Sequence, residues 1–345
     1  MSNILILGAG SMGTAFSLPC SENKHSVVIV GSHLEDEFIN NINKTRIHPA
    51  LSCHVPKNIK FVKFKNLKEE CNKKVDLIVV AIISKAIEWA SIELSKVITN
   101  KTPILLLTKG LSVNKGKYEV LAHKMERLLK TNGNKESNIS AAGGPCLAKG
   151  LANKIHTSVI FANKDINVVN QIAKLVSTNY YHISTTTDVI GVEVCAAIKN
   201  IYSMCIGASI GLCNVNLSSD IREKNYLNTA ASILQQSINE MVFFTEKLNG
   251  KKETVMGLAG IGDLYVSADG GRNSEMGFYL GQGMSYKDAK LKKMSSITVE
   301  GADLAVEIRE LTKKTFDSKT VPLMYALIDT ICESKPLVFE WKNFK

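Results

Sequence analysis

No run of about 18 or more uninterrupted apolar residues occurs in this 345-residue sequence, so a membrane-spanning helix is not expected. The opening MSNILILGAGSMG lacks a basic leader and a cleavage site, and it reads as a first strand instead of a signal peptide. The eight cysteines, at positions 20, 53, 71, 146, 195, 205, 213 and 332, form no CxxC pair. Several stand among apolar neighbours, which points to reduced, buried thiols in a cytoplasmic protein and away from disulfides or zinc. There is no internal repeat and no low-complexity tract; the longest irregular stretch is the polar 131–138. Lysine clusters such as Lys73-Lys74 and Lys292-Lys293 carry no interleaved aromatics. The formal charge of +10 therefore reads as a solvated lysine-rich surface and not as a nucleic-acid interface, with attraction of small phosphates as its other consequence.

What is present is ordinary soluble-protein chemistry, 45% hydrophobic and 21% charged, on a chain long enough for two domains. The first half alternates short β-branched runs with amphipathic segments. NILILG (3–8), SVVIVG (26–31), DLIVVAI (76–82), PILLLTKG (103–110), NISAAGGP (138–145), TSVIFA (157–162) and YYHIS (180–184) read as strands. Segments 85–97 and 116–130 between them read as helices. That alternation predicts a doubly wound, Rossmann-like α/β sheet. Beyond Thr187 the pattern turns helical, over 188–212, 226–248, 274–283, 285–291, 300–311 and 322–332, with no strand until PLVFEW near the end. Asp188 is placed to cap the first of these helices and Gly250 to close the second. The predicted organisation is an α/β domain over 1–187 and an all-α domain over 188–345.

GAGSMG follows a predicted strand and opens a predicted helix. In that context Gly8 makes a tight turn, Gly10 lets backbone approach a pyrophosphate, and Gly13 allows close helix–strand packing. Ser11 and Met12 lie in the first turn, whose N–H groups and partial positive charge suit an anion. The alternative is a glycine-rich turn with no ligand. NAD enzymes usually end the second strand with an acid that holds the ribose 2′-OH. Here the strand ends Val30-Gly31-Ser32-His33, and the acids Glu35, Asp36 and Glu37 follow as candidates for a helix first turn. Ser32 and His33 could accept a 2′-phosphate, with Lys44 or Arg46 as added cations. This tips the expectation for the NAD(P) cofactor toward NADP being accepted and preferred.

The second half raises a different question. In GVEVCAAIKN, Lys199 ends a run of small and apolar residues, and a buried ammonium needs a partner or a polar cavity. LTKGLS sets Lys109 after a strand, where the carboxyl ends of parallel strands line a ligand crevice. GLAGIGDLYVSADGGRNSEMG carries Asp263, Ser267, Arg272 and Asn273 among glycines, and TVEGADLA puts Glu300 at a helix start. Each has a bland alternative: an exposed loop lysine, a helix cap, a solvated turn, or an acid balancing a helix dipole.

Taken in order, GAGSMG, LTKGLS, GGPCLAKG, DVIGVEVCAAIKN, GLAGIGDL, GGRN and VEG resemble the NAD(P)-dependent glycerol-3-phosphate dehydrogenases, from about residue 3 to the C-terminus. DVIGVE…IKN and GLAGIGDL…GGRN are the specific stretches. The resemblance is strongest to the prokaryotic soluble enzymes, and it implies a Rossmann-like domain joined to a helical one in a homodimer. It implies reversible reduction of dihydroxyacetone phosphate to sn-glycerol 3-phosphate, feeding glycerophospholipid synthesis.

By the same resemblance Lys199 is the acid/base at the substrate C2 oxygen, Asp263 orients it, and Lys109 contacts substrate or supports Lys199. Arg272 suits the substrate phosphate through its bidentate fork, with Asn273, Ser267 and Asn200 around the substrate. Gly8, Gly10, Ser11, Met12, Gly13, Ser32, His33, Lys109, Arg272 and Glu300 are the expected cofactor contacts, and no metal is implied. Three departures stand out, one of them Leu234-Gln235-Gln236 where the family frequently has threonine–arginine–glycine. Ala148-Lys149 replaces the usual A-x-E, which removes a glutamate from the nucleotide loop. Ala81-Ile82-Ile83-Ser84 replaces A-V-P-S and loses a stiffening proline. The rival expectations are a β-hydroxyacid dehydrogenase of the same build and a non-catalytic nucleotide sensor.

Overall fold

A computed structural model describes residues 1–98, 101–134, 136–216 and 226–345. Contacts divide it into two compact units, Met1–Lys109 with Val120–Glu193 and Gly110–Glu119 with Val194–Lys345. The sequence predicts one crossing near residue 187. The structure shows three, because the Val189–Asn216 helix runs unbroken through 193–194 and because 110–119 joins the second unit.

In the first unit Ile47–His48 pairs with Cys53–His54 by itself, and eight other strands form one sheet. Its spatial order is Tyr181–Thr186, Thr157–Ala162, Asn138–Gly143, Pro103–Leu106, Leu77–Val80, Asn3–Leu7, Ser26–Val30 and Ile59–Val62. All pairs in this sheet are parallel except Asn138–Gly143 with Thr157–Ala162. The central strands Ile4–Leu7 and Leu77–Val80 are buried throughout, as strands covered on both faces must be. Phe16 packs on Phe161 and Tyr181, with ring centroids 6.5 and 6.3 Å away. The order reverses at Asn3–Leu7, whose two neighbours follow it in opposite directions across the sheet. A switch point of this kind opens a crevice at the strand's carboxyl end, and Gly8 stands there.

Three features differ from expectation. Ile59–Val62 is an edge strand that the sequence pattern does not announce. Residues 117–120 are not the start of a helix: Leu111–Asn114 and Lys117–Val120 pair around Lys115 and Gly116, both at positive φ, and the helix begins at Leu121. The anchor is Tyr118, whose hydroxyl meets Thr312 Oγ1 at 3.0 Å and whose ring lies 5.0 Å from that of Phe244. PLVFEW forms no strand; the chain there ends in a short 3-10 turn, Trp341–Asn343.

The second unit is built around Val189–Asn216. Asp188 caps it, accepting the Gly191 N–H at 2.9 Å. By length and composition Val189–Cys213 could cross a membrane, but 89% of its apolar window is buried in the protein, as in a core helix. The Tyr226–Lys247 helix closes with Asn249 at positive φ, not Gly250, and the Gly250 N–H reaches back to the Thr245 carbonyl at 2.9 Å. Buried Glu240 then caps the Pro322–Cys332 helix, accepting the Leu323 and Met324 N–H groups at 2.8 and 3.0 Å.

Val189–Asn216 and Arg272–Gly281 cross at backbone contact. A Cβ at Gly277 would stand 1.9 Å from the Met204 carbonyl oxygen, and one at Gly207 2.1 Å from that of Ser274. The spacings GASIG (207–211) and GFYLG (277–281) permit this approach. It sets the first turn of the second helix, with Arg272 and Asn273, against the middle of the first, with Lys199 and Asn200.

Candidate active site

Two groups of predicted residues are found, one in each unit. In the first, Gly8 turns the chain at φ +110°, and a Cβ there would stand 2.4 Å from the Ala81 carbonyl oxygen. A Cβ at Gly13 would meet the Gly8 carbonyl oxygen at 2.3 Å. At Gly10 the space within 4 Å is open. The turn is thus closed toward the sheet and bare outward. The N–H groups of Ser11, Met12 and Gly13 begin the helix and have no intrahelical partner. This cradle fits the pyrophosphate of a dinucleotide.

Of the neighbours expected to read the cofactor, Ser32 is half-buried and His33 is exposed, its ring set edge-on 5.1 Å from that of Trp89. Arg46 is committed elsewhere: Nε donates to the Val55 carbonyl at 3.3 Å and Nη2 to those of Pro56 and Ile59. Lys109 follows the Pro103–Leu106 strand and is half-buried. The preceding Thr108 ties the loop down by donating to the Ile82 carbonyl at 2.9 Å. Lys149 lies exposed on the short Ala148–Ala152 helix.

In the second unit Lys199 is only 6% exposed. Its ammonium donates to the buried Asp263 carboxylate and to Ser267 Oγ, the latter at 2.6 Å. Asp263 and Ser267 are four residues apart on the Asp263–Ala268 helix and so share a face. A π-turn over Leu258–Gly262 leads into that helix, an irregularity common where function fixes side-chain placement. One residue on, Asn200 Oδ1 accepts from Asn273 at 3.1 Å, and Asn273 Oδ1 accepts the Gly301 N–H at 2.9 Å. Glu300 joins the chain by pairing with Arg272 at 3.1 Å and accepting from Asn200 at 3.4 Å. Lys199, Asp263 and Ser267 form one hydrogen-bonded group and Asn200, Arg272, Asn273 and Glu300 another, and the two adjoin where Lys199 and Asn200 are neighbours in the chain. The first is mostly buried, and the second opens outward at Arg272 and Glu300, which are exposed.

Residues 3–169 match the N-terminal part, and residues 188–338 the C-terminal part, of the NAD-dependent glycerol-3-phosphate dehydrogenases. The chain belongs to that family. It is 29% identical to the NADP(+)-dependent glycerol-3-phosphate dehydrogenase of Archaeoglobus fulgidus over 99% of both chains. It is 30% identical to the glycerol-3-phosphate dehydrogenase [NAD(P)+] of Francisella tularensis, over 96% of this chain and 93% of the other. A glycerol-3-phosphate dehydrogenase from Coxiella burnetii superposes with a TM-score of 0.79 at 25% identity, over 97% of this chain and 96% of that one. The chain is thus an NAD(P)-dependent oxidoreductase of the glycerol-3-phosphate dehydrogenase family.

Two carboxylates in this dehydrogenase escaped sequence reasoning. Glu35 folds back onto the fingerprint turn, a return that the spacing Ser32-x-x-Glu35 of a capping box could have signalled. Glu193 is buried and holds the Ala122 N–H with both oxygens, at 2.9 and 3.2 Å. Burial pushes its carboxyl up to about 8, against the lowering pull of the Ala122 and Leu121 N–H groups. No sequence pattern announces a carboxylate capping a helix some seventy residues earlier.

Proposed function

We propose that this chain catalyses the reversible reduction of dihydroxyacetone phosphate to sn-glycerol 3-phosphate with NAD(P)H. The observation that carries it is the buried Lys199 held between Asp263 and Ser267, with Asn200 next in the chain bonded to Glu300, which pairs with Arg272. The fingerprint turn would hold the pyrophosphate, and the nicotinamide, when bound, supplies the hydride to C2 or takes it back. Lys199 polarises the C2 carbonyl oxygen as an ammonium and gives it a proton on reduction. In oxidation its amine takes the hydroxyl proton. Asp263 and Ser267 keep the ammonium aimed, so no reorganisation is needed as the oxygen gains charge. Arg272 binds the phosphate dianion with its fork, exchanging Glu300 for it, and Asn273 and Asn200 fix the register of the bound chain.

A homodimer in the cytoplasm that feeds glycerophospholipid synthesis belongs to the same proposal and rests on the family resemblance. Light scattering on the purified chain tests the dimer. The activity is tested by loss of nicotinamide absorbance with dihydroxyacetone phosphate, run with NADH and with NADPH. Turnover supports the proposal. Turnover only with β-hydroxyacids, or cofactor binding without turnover on either substrate class, would replace it with one of the two rivals.

A further inference from the structure

Glu35 stands at the fingerprint turn, although it comes five residues after the second strand ends at Val30. Its Oε2 accepts the Ser32 N–H at 2.6 Å and the Ala9 N–H at 3.4 Å. Gly31 makes room for this return, since a Cβ there would press on Ile39 Cγ1 at 2.9 Å and Glu35 Cβ at 3.3 Å. One carboxylate oxygen is therefore pinned between the fingerprint and the end of the second strand. In dinucleotide-binding folds that is where the adenosine ribose lies.

Two more acids stand next to it, and the nearby cations are engaged elsewhere or distant. Asp36 and Glu37 follow on the first turn of the helix, and Lys63 reaches Asp36 only at 3.8 Å. The cations that the sequence offered for a 2′-phosphate are spent or distant. Arg46 is bonded to three carbonyls, and its guanidinium lies over the Phe61 ring at 5.4 Å. Lys44 sits nine residues along the helix from Glu35, about 13 Å of rise. His48, buried beneath the turn, is kept below its ordinary range by burial, against the pull of the Ala9 carbonyl and the Glu35 charge. That shift disfavours the charged imidazole that a phosphate would need.

We propose that Glu35 makes this chain select NAD over NADP, its pinned carboxylate accepting the ribose hydroxyl and repelling a phosphate at the same carbon. The inference rests on the dehydrogenase reading of the fingerprint, and it reverses the expectation drawn from Ser32 and His33.

The test is calorimetric titration of the full chain with NAD+ and with NADP+, without substrate. NAD+ should bind at least about tenfold more tightly, and the ratio should shrink as salt rises, because the discrimination is a charge repulsion. Glu35→Gln should bring the two affinities within about threefold, mainly by tightening NADP+. Equal or tighter NADP+ binding by the unaltered chain overturns the proposal, and so does a ratio indifferent to salt. A Glu35→Gln chain that loses affinity for both cofactors by the same factor makes Glu35 a turn cap only. Binding of neither cofactor removes the fingerprint site, and this proposal with it.

Discussion

Lys199 Nζ lies 2.6 Å from Ser267 Oγ, and the same nitrogen is taken by Asp263 one helical turn earlier. Sixty-odd residues separate the lysine from this pair in sequence, yet the three side chains make one bonded unit, with Lys199 and Asp263 buried and Ser267 half-buried. Its chemistry follows from charge: a buried ammonium is tolerated only beside a carboxylate, and a carboxylate only beside a cation.

Replacing the lysine should therefore have two separable effects. Lys199→Ala should lower kcat by about a hundred- to ten-thousandfold and leave Asp263 buried without its cation, costing about 3–5 kcal/mol of stability. Lys199→Arg keeps the charge but cannot release a proton near neutral pH. It should hold most of the stability and still lose kcat. Steady-state kinetics and denaturant unfolding on the two variants check this, and near-normal turnover in either one removes Lys199 from the chemistry.

Arg272 and Glu300 offer a test on the ligand side. Arg272→Ala should raise the KM for dihydroxyacetone phosphate by about tenfold or more while cofactor affinity changes little. Glu300→Gln removes the acid that holds the guanidinium at 3.1 Å, and it should move the same KM downward. Equal losses of substrate and cofactor affinity in Arg272→Ala would show that the arginine serves the nucleotide instead.

Two glycines separate packing from binding. Gly10 has open space and an ordinary backbone, φ −65° and ψ −179°, so Gly10→Ala should fold with an unchanged Tm. Its methyl group would crowd the pyrophosphate and weaken cofactor binding by about tenfold. Gly277→Ala puts a methyl group on the Met204 carbonyl and should cost about 3 kcal/mol, the upper end for overpacking. Thermal unfolding with a cofactor titration distinguishes them; a Gly10→Ala chain that binds cofactor normally argues against the fingerprint site.

Glu193 predicts a pH dependence. With its carboxyl pushed up to about 8 from an ordinary 4.5, the folded chain holds this proton more tightly than the unfolded one. Its contribution is present in full at acid pH and is lost as pH rises through the interval between those values. Between pH 5 and 8, taken as about the accessible range, the Tm of the unaltered chain should fall relative to that of Glu193→Gln. Parallel curves would mean that Glu193 titrates normally in the folded chain.

Much of this was legible in the sequence because it is local. Strands such as Thr157–Ala162 follow from β-branched runs bounded by turn residues, the Gly8 turn from glycine spacing beside a strand, and the Asp188 cap from its place before a helix. The unusual Lys199 was visible because burying a charge among Cys195, Ala196, Ala197 and Ile198 is costly without a partner. Tertiary structure decided the rest. It sets which acids meet which cations, bringing Asp263 to Lys199 across more than sixty residues, and Asn273 to Asn200 where two glycine-spaced helices cross at backbone contact. It takes Arg46 for three carbonyls and folds Glu35 onto the fingerprint, and the proposed selection of NAD rests on those two placements. A side chain's type is written in the sequence, but whether its charge is spent or available depends on neighbours that only the fold brings within a few ångströms.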